Sequence, residues 1–103
     1  MHQFKVITLC GSTRFKKEFE KINKRLTLEG NVVISVASFG HTGDTITQEQ
    51  KQLLDNIHLQ KIEMADEIFV INKDGYIGQS TTREIKYAQS IGKTIRYLEE
   101  PDA

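Results

Sequence analysis

The sequence is poor in the residues that define several classes of protein. It has one cysteine, Cys10, one proline and no tryptophan among 103 residues. A single cysteine excludes a disulfide within the chain. No cysteine–histidine pattern of the zinc-binding type is present, so we predict no metal and no cofactor. No apolar run approaches the roughly 18 residues of a membrane span, and the first residues lack the features of a secretory signal. These absences favour the reducing cytoplasm and no membrane partner.

The balance of charges excludes further partners. Fourteen Lys and Arg residues offset fourteen Asp and Glu residues, so the formal net charge is zero. A general nucleic-acid binder or a polybasic membrane anchor would carry a basic excess. The hydrophobic fraction of 38% suffices for one modest core, and we expect a single domain over residues 1–103. A domain of this size has a thin margin of stability, which favours a homodimer or a larger assembly.

Apolar runs alternate with amphipathic stretches along the chain. The apolar, β-branched runs predict four strands, over 4–10, 31–39, 67–72 and 93–99. Apolar residues at three- and four-residue steps predict three helices, over 13–29, 46–66 and 81–91. Strands separated by helices pair in parallel through right-handed crossovers, with helices on both faces. We therefore expect an α/β three-layer sandwich around a four-stranded parallel sheet, flavodoxin- or Rossmann-like, in strand order 2-1-3-4.

In that strand order the loops after the first and third strands lie side by side. Ligands bind such folds outside the carboxyl ends of the strands, where the strand order reverses. The two loops are CGSTR at 10–14 and NKDGYIGQS at 72–80. We expect them to form the walls of a ligand crevice, where Tyr76 either stacks on a base or shields the opening. The loop with His41 and Asp44 is either a base-binding loop or a solvated turn.

Gly11, Ser12 and Arg14 are candidates for binding phosphate. Backbone N–H groups at a helix start bind anions, a serine hydroxyl adds a donor, and an arginine adds a two-pronged phosphate contact. The alternative is that Ser12 only caps the helix and Arg14 is solvated. An arginine at a helix N-terminus opposes the helix dipole, which favours the anion site. The dinucleotide pattern GxGxxG is absent.

Glu84 has two interpretations. Thr81 and Glu84 have the spacing of a capping box, in which the glutamate only closes the start of a helix. Glu84 also shares a helix face with Tyr87 and Ala88, which should turn toward protein. A carboxylate there, one turn into a helix that starts at the crevice, is a candidate nucleophile or base.

Three other polar residues have plain structural explanations. His58 shares a helix face with Leu54 and Ile62, and the usual explanation for such a histidine is a hydrogen bond within the core. Cys10 ends a buried strand and is most simply a small core residue. Asp66 precedes the third strand, at the end of the sheet opposite the crevice, so we predict a structural role.

Three segments together resemble a known family. ITLCGSTR at 7–14, ADEIFVIN at 65–72 and GYIGQSTTREIKYAQSIGKTI at 75–95 look like the nucleoside 2-deoxyribosyltransferase-like family, which includes the 2'-deoxynucleoside 5'-phosphate N-hydrolases. The resemblance covers nearly the whole chain. It implies cleavage of the N-glycosidic bond of a (deoxy)nucleoside 5'-monophosphate. Glu84 attacks C1' of the sugar, and water, or less readily a second base, resolves the glycosyl-Glu84 intermediate.

The resemblance also implies how the substrate is held. Gly11, Ser12 and Arg14 match the loop that holds the 5'-phosphate, and the members of the family form dimers that share their sites. A carboxylate nucleophile must be ionised. We therefore expect hydrogen-bond donors, such as the N–H groups around 78–81, to keep the pKa of Glu84 low.

Two positions depart from the family pattern. The family aspartate on the helix before the third strand is replaced by His58, a candidate general acid, with Asp55 one turn away as the alternative. The residue six places before Glu84 is Gly78, where the family has aspartate or serine. The missing aspartate argues against a transferase. Ser80 and Thr81, close to Gly78, are candidates for binding phosphate instead, and the hydroxyl-rich STT stretch together with Arg14 favours a phosphorylated substrate. The departure at His58 keeps open a second function, a nucleotide-binding or nucleotide-sensing module that cuts no bond.

Overall fold

The computed structural model describes residues 3–37 and 45–101. These residues form four strands and three helices in strict alternation, as the sequence predicts. Two short 3-10 turns, Thr13–Phe15 and Lys73–Gly75, follow the first and third strands. In chain order the elements are β1 Val6–Gly11, α1 Lys16–Leu28, β2 Val32–Ile34, α2 Gln48–Met64, β3 Glu67–Ile71, α3 Gln79–Ser90 and β4 Thr94–Tyr97.

The four strands form one parallel sheet in the order β2-β1-β3-β4. This confirms the predicted α/β class, the parallel pairing and the strand order. The central pair, β1 and β3, runs in register from Ile7 opposite Glu67 to Gly11 opposite Ile71. Both strands therefore end at the same level, and the loops that follow them leave the sheet together.

Alternation along the two central strands divides the core into two layers. Ile7, Leu9, Phe69 and Ile71 pack with the apolar face of α1 on one side of the sheet. On the other side, Cys10, Ile68 and Val70 pack with Ile62 of α2 and with Ile85 and Ala88 of α3. Successive side chains of a strand point to opposite faces, so a strand buried on both sides is apolar throughout. The sheet is thus covered on both faces, as in a three-layer sandwich.

Several boundaries differ from the sequence prediction. Residues 38 and 39 of the strand predicted over 31–39 lie outside the described residues. Over 31–37 the pairing covers only Val32–Ile34, because β2 is an edge strand that follows only the first half of β1. Helix α3 begins at Gln79, two residues earlier than predicted, with Gly78 as its N-cap. Thr81 therefore lies within the helix and is buried. The interpretation of Thr81 and Glu84 as a capping box is wrong for this reason.

A capping box does occur at the start of α2, where the sequence reading missed it. The Thr47 hydroxyl accepts a hydrogen bond from the Gln50 N–H, and the Gln50 side chain accepts one from the Thr47 N–H. This reciprocal pair satisfies N–H groups that a helix start leaves without partners. Within the described ranges, none of the helices combines the length and the apolar character that crossing a membrane requires.

Asp66 has the structural role that its position predicts. Its carboxylate accepts a hydrogen bond of 2.8 Å from the N–H of Val6, at the amino ends of β1 and β3. The backbone N–H of Asp66 also donates to the carbonyl of Val6 at 2.8 Å. These contacts fix the end of the sheet that faces away from the two glycine-containing loops.

Candidate functional site

Gly11 brings β1 and β3 together at their carboxyl ends. Its φ angle is +149°, and a Cβ atom added there would lie 2.8 Å from the carbonyl oxygen of Ile71. A side chain at this position would therefore meet backbone that has no flexible end to move. Glycine permits both the unusual backbone angle and the close approach. The first loop can then turn away directly over the end of β3.

A cavity of about 520 Å³ opens at this end of the sheet. Its volume falls within the roughly 300–1,000 Å³ of sites that hold small molecules. The walls come from the ends of β1 and β2, from α2 and from the start of α3. Seven of the eight residues predicted for the site line this cavity: Gly11, Ser12, His58, Gly78, Ser80, Thr81 and Glu84. The structure thus brings together residues that lie up to 73 positions apart in the sequence.

Glu84 points its carboxylate into a largely dry environment. Only 16% of its side chain is exposed. Burial raises the pKa of Glu84 to about 7, and the negative charge of Asp55 adds to this, while a hydrogen bond from Cys10 acts in the opposite direction. The resemblance to the family implies that donors keep this pKa low. The structure differs, because desolvation disfavours the charged form more than the nearby donors favour it.

His58 is both a buried hydrogen-bonded histidine and a residue of the cavity wall. Its Nε2 atom lies 3.4 Å from Sγ of Cys10 and 3.7 Å from Oε1 of Glu84. Burial lowers the pKa of His58 to about 4, with a smaller contribution from the charge of Lys61. At neutral pH the imidazole is therefore uncharged in the unliganded protein.

Cys10 belongs to this group, although the sequence indicated only a small core residue. It is fully buried, and burial raises the pKa of its thiol well above the ordinary value, with Glu84 adding to the effect. The ligand atoms of Cys10, His58 and Glu84 all lie within 4.8 Å of one another. We call these three residues the Cys–His–Glu cluster. The sequence signal for this position of Cys10 is the alternation of side chains along β1, which places Cys10 on the same side of the sheet as Thr8. The Thr8 hydroxyl donates to the Lys61 carbonyl of α2, so this is the side that α2 covers.

The first loop places one of its two predicted phosphate-binding side chains in the cavity wall. Ser12 lines the cavity, and its hydroxyl oxygen accepts from the N–H of Arg14 at 3.3 Å, which caps the short turn. Arg14 does not line the cavity. Its guanidinium carbon lies 4.1 Å from the ring centre of Tyr76, and its Nη2 donates to the Tyr76 hydroxyl at 3.4 Å. Tyr76 does line the cavity, so Arg14 stands at the rim behind it.

The start of α3 presents backbone donors to the cavity. Gly78 is the N-cap and supplies no side chain to close the first turn. The first internal hydrogen bond at this end runs from the N–H of Thr82 to the carbonyl of Gly78 at 2.9 Å. The N–H groups of residues 79–81 precede it, and helix starts of this kind attract anions. Ser80 adds an exposed hydroxyl, which accepts from Arg83 at 3.4 Å.

Two lysines of α2, which the sequence analysis does not predict for the site, also line the cavity. Lys51 pairs with Asp55 at 3.3 Å, and Nζ of Lys61 donates to the carbonyl of Ser35 at 2.9 Å. Their spacing relative to His58 is the sequence signal that indicates a place in the cavity wall. Residues 51, 54, 55, 58 and 61 follow three- and four-residue steps, so they share a face of α2. His41 and Asp44 lie outside the described residues.

No protein-family model matches the sequence, and no curated protein matches it. The site must therefore be interpreted from its own geometry and chemistry.

Proposed function

We propose that the chain cleaves the N-glycosidic bond of a (deoxy)nucleoside 5'-monophosphate, as the resemblance to the nucleoside 2-deoxyribosyltransferase-like family implies. The observation that carries the proposal is the position of Glu84. A shielded carboxylate, 3.7 Å from a histidine, lines a cavity of nucleotide size next to a helix start that attracts anions. Such a carboxylate suits attack on an anomeric carbon.

In the proposed reaction Glu84 attacks C1' of the sugar from the face opposite the base. The bond from its oxygen to C1' forms as the C1'–N bond breaks, and the base leaves with the electron pair and takes up a proton. Water then attacks C1' as the bond from C1' to Glu84 breaks, and the proton that the water loses replaces the one that the base took up. The configuration at C1' is retained, because two inversions occur in sequence. Water is the favoured second reactant, and a second base is the less favoured one.

The 5'-phosphate is assigned to the start of α3. The N–H groups of residues 79–81 and the hydroxyl of Ser80 supply donors, and Ser12 lies across the same cavity. Lys51 adds a positive charge in the wall, although Asp55 offsets it at 3.3 Å. Arg14 acts from the rim through its contact with Tyr76. The phosphate thus binds within one and a half turns of Glu84 along the same helix.

His58 is assigned a role in proton transfer or in positioning Glu84. Because its pKa lies at about 4 in the unliganded protein, it is not a charged acid at neutral pH. A bound phosphate brings negative charge into the cavity, and negative charge favours the protonated imidazole. The substrate itself would then raise the pKa of His58 toward the range in which a general acid works.

A second candidate is a nucleotide-binding module that cuts no bond. The specific observation in its favour is that burial keeps Glu84 largely protonated below pH 7 and His58 uncharged above pH 4. A site with a neutral carboxyl and a neutral imidazole can still hold a nucleotide by hydrogen bonds. It lacks the ionised nucleophile that cleavage requires until a higher pH removes the proton of Glu84.

Base release separates the two candidates. We would incubate the native protein with a panel of ribo- and deoxyribonucleoside 5'-monophosphates at pH 8, in buffer with a chelator, and measure free base by chromatography. Glu84→Gln keeps the shape of the side chain and removes the nucleophile, so it should release no base. Glu20→Gln, at an exposed position of α1, is the matched control and should keep the native rate.

The alternative outcomes are distinct. Release by Glu84→Gln at the native rate would remove Glu84 as the nucleophile. No release by the native protein, combined with a rise in melting temperature on adding a nucleotide, would favour the binding module. The homodimer remains part of the proposal, and sedimentation measurements of the native protein test it directly.

A further inference from the structure

Three different metal-binding groups converge in the Cys–His–Glu cluster. Sγ of Cys10 lies 3.4 Å from Nε2 of His58, which lies 3.7 Å from Oε1 of Glu84. All three ligand atoms lie within 4.8 Å of one another. Zinc bonds sulfur at about 2.3 Å and nitrogen or oxygen at about 2.0 Å, so tetrahedral ligand atoms stand roughly 3.3–3.6 Å apart. Two of the separations already approach this spacing without a metal.

The three ligands come from three elements that the core holds in place. Cys10 belongs to β1, His58 to α2 and Glu84 to α3, and the first two are buried. The helices pack on the same face of the sheet, through Ile62 of α2 and Ile85 of α3. Ligands on packed strands and helices keep their positions better than ligands on loops.

The chemistry of the ligand set selects the class of metal. A thiolate and an imidazole favour borderline-soft transition metals, whereas magnesium and calcium prefer oxygen ligands. One thiolate and one carboxylate also cancel the charge of a divalent cation, which matters where charge is shielded from water. We propose that the Cys–His–Glu cluster binds a divalent transition metal, zinc before others, with its fourth coordination position open to the cavity.

Binding changes the protonation and the availability of these groups. The metal displaces the proton of the Cys10 thiol, and that of the Glu84 carboxyl where it is present, and both protons pass to solvent. His58 and Glu84 line the cavity, so the fourth position faces it and takes water. A metal held by Glu84 also keeps that carboxylate from C1'. Zinc should therefore inhibit base release, and this consequence alone rests on the proposed function.

Cobalt(II) provides a direct test of the site. Cobalt bound to a thiolate has an intense near-ultraviolet charge-transfer band, and Cys10 is the only cysteine of the chain. We would strip the protein with a chelator, remove the chelator, and titrate with Co²⁺ while recording the absorbance. The expected result is one Co²⁺ per chain with the thiolate band, which Zn²⁺ abolishes by displacement.

Variants show whether all three residues bind the metal. Glu84→Gln and His58→Gln should each weaken Co²⁺ binding by about tenfold or more, because each removes one of three ligands. Glu20→Gln is the control. It removes an exposed carboxylate of α1 that belongs neither to the cluster nor to the cavity wall, so the titration should follow the native curve. Circular dichroism melts verify that each variant is folded. If His58→Gln fails to fold, the cobalt titration of Glu84→Gln alone tests the metal site.

The outcomes of this test do not depend on catalysis. A folded native protein without the thiolate band would overturn the metal site, and so would a band equally strong in both ligand variants. Base release in chelator without any cobalt band would leave the proposed function standing and remove this inference. A cobalt band without base release would leave the metal site standing and remove the proposed function. Where both occur, zinc should suppress base release over the concentration range in which it displaces cobalt.

Discussion

Nε2 of His58 lies 3.7 Å from Oε1 of Glu84, and the two groups nevertheless carry no charge near pH 5.5. Burial lowers the pKa of His58 to about 4 and raises the pKa of Glu84 to about 7. In water a histidine and a glutamate would both be ionised at that pH and would attract each other. Here the cost of taking two charges out of water exceeds their attraction. Glu84 therefore gains its charge only as the pH rises, and His58 gains its charge only as the pH falls or a negatively charged ligand binds beside it.

The stability of the protein should reveal the raised pKa of Glu84. The pKa is about 7 in the folded protein and ordinarily 4.5, so the folded state holds a proton that the unfolded state loses between these pH values. Ionisation therefore destabilises the fold as pH rises, by about 3 kcal/mol above pH 7. Glu84→Gln cannot ionise. It should match the native free energy of unfolding at pH 4 and exceed it by up to about 3 kcal/mol at pH 8. Urea titrations at both pH values measure this, and a pH-independent difference would contradict the assignment.

His58 should produce the opposite slope in the same measurement. Between its ordinary pKa of 6.5 and the folded value of about 4, the unfolded state binds the proton and the folded state does not. Stability due to this residue is therefore complete above pH 6.5 and is lost as pH falls toward 4. His58→Gln removes this loss, so its stability relative to the native protein should rise as the pH is lowered from 7 to 4. The quantity to compare is the change with pH of the difference in unfolding free energy between variant and native protein. Its absolute value is less informative, because the variant also loses the contact with Cys10 at every pH. A difference that does not change with pH would show that folding leaves the pKa of His58 unchanged.

Base release should depend on the ionisation of Glu84. In chelated buffer kcat/KM should rise with pH and level off above about pH 7, because only the carboxylate attacks C1'. The thiol of Cys10 donates a hydrogen bond to Glu84 and favours its charged form. Cys10→Ala removes that donor, so the midpoint should move to higher pH. Cys10→Ser keeps an O–H donor and is the matched control, with a midpoint nearer the native one. A profile that is flat between pH 6 and 8 would count against Glu84 as the nucleophile.

The fold follows from the sequence because its main signals are local. Alternation of apolar runs with amphipathic stretches indicates parallel strands, and two-sided burial of β1 and β3 explains why their sequences are apolar throughout. The end of β2 depends instead on its partner. The segment at 31–39 favours a strand along its length, yet within its described residues, 31–37, pairing with β1 covers only Val32–Ile34. Strand length at an edge is set by the neighbouring strand, which propensity does not describe.

The sequence predicts those residues of the candidate site that lie in the two loops and on the two helix faces beside them. Seven lining residues follow from two loops and two helix faces that topology places at one end of the sheet. The partnership of Cys10 with His58 spans 48 positions and depends on how α2 lies across β1, which the sequence does not give. The stacking of Arg14 on Tyr76, across 62 positions, was missed for the same reason.

Arg14 should affect phosphorylated substrates more than free nucleosides. Its guanidinium lies on the ring of Tyr76 at the rim of the cavity, where its charge can attract a 5'-phosphate. Arg14→Ala should raise KM for a nucleoside 5'-monophosphate by about tenfold, the usual loss for one charge-assisted hydrogen bond, with little effect on the nucleoside. Arg14→Lys retains the charge but cannot stack as a planar group on Tyr76. Its KM for the nucleoside 5'-monophosphate should therefore lie between that of the native protein and that of Arg14→Ala. Equal changes of KM for both substrates would exclude a phosphate role.

Gly11 should be the glycine least tolerant of a side chain among those that the structure describes. Its φ is +149°, and a Cβ atom would lie 2.8 Å from the backbone oxygen of Ile71, so Gly11→Ala must push β1 away from β3. We expect a loss of about 2 kcal/mol or more in the free energy of unfolding, together with loss of base release as the two loops separate. Gly92→Ala is the matched control, because Gly92 also has a positive φ, +76°, but an added Cβ atom meets nothing within 4 Å. That variant should lose only about 1 kcal/mol and keep its activity. Equal losses of stability in the two variants, measured in urea, would show that the close approach of β1 to the end of β3 does not limit the residue at position 11.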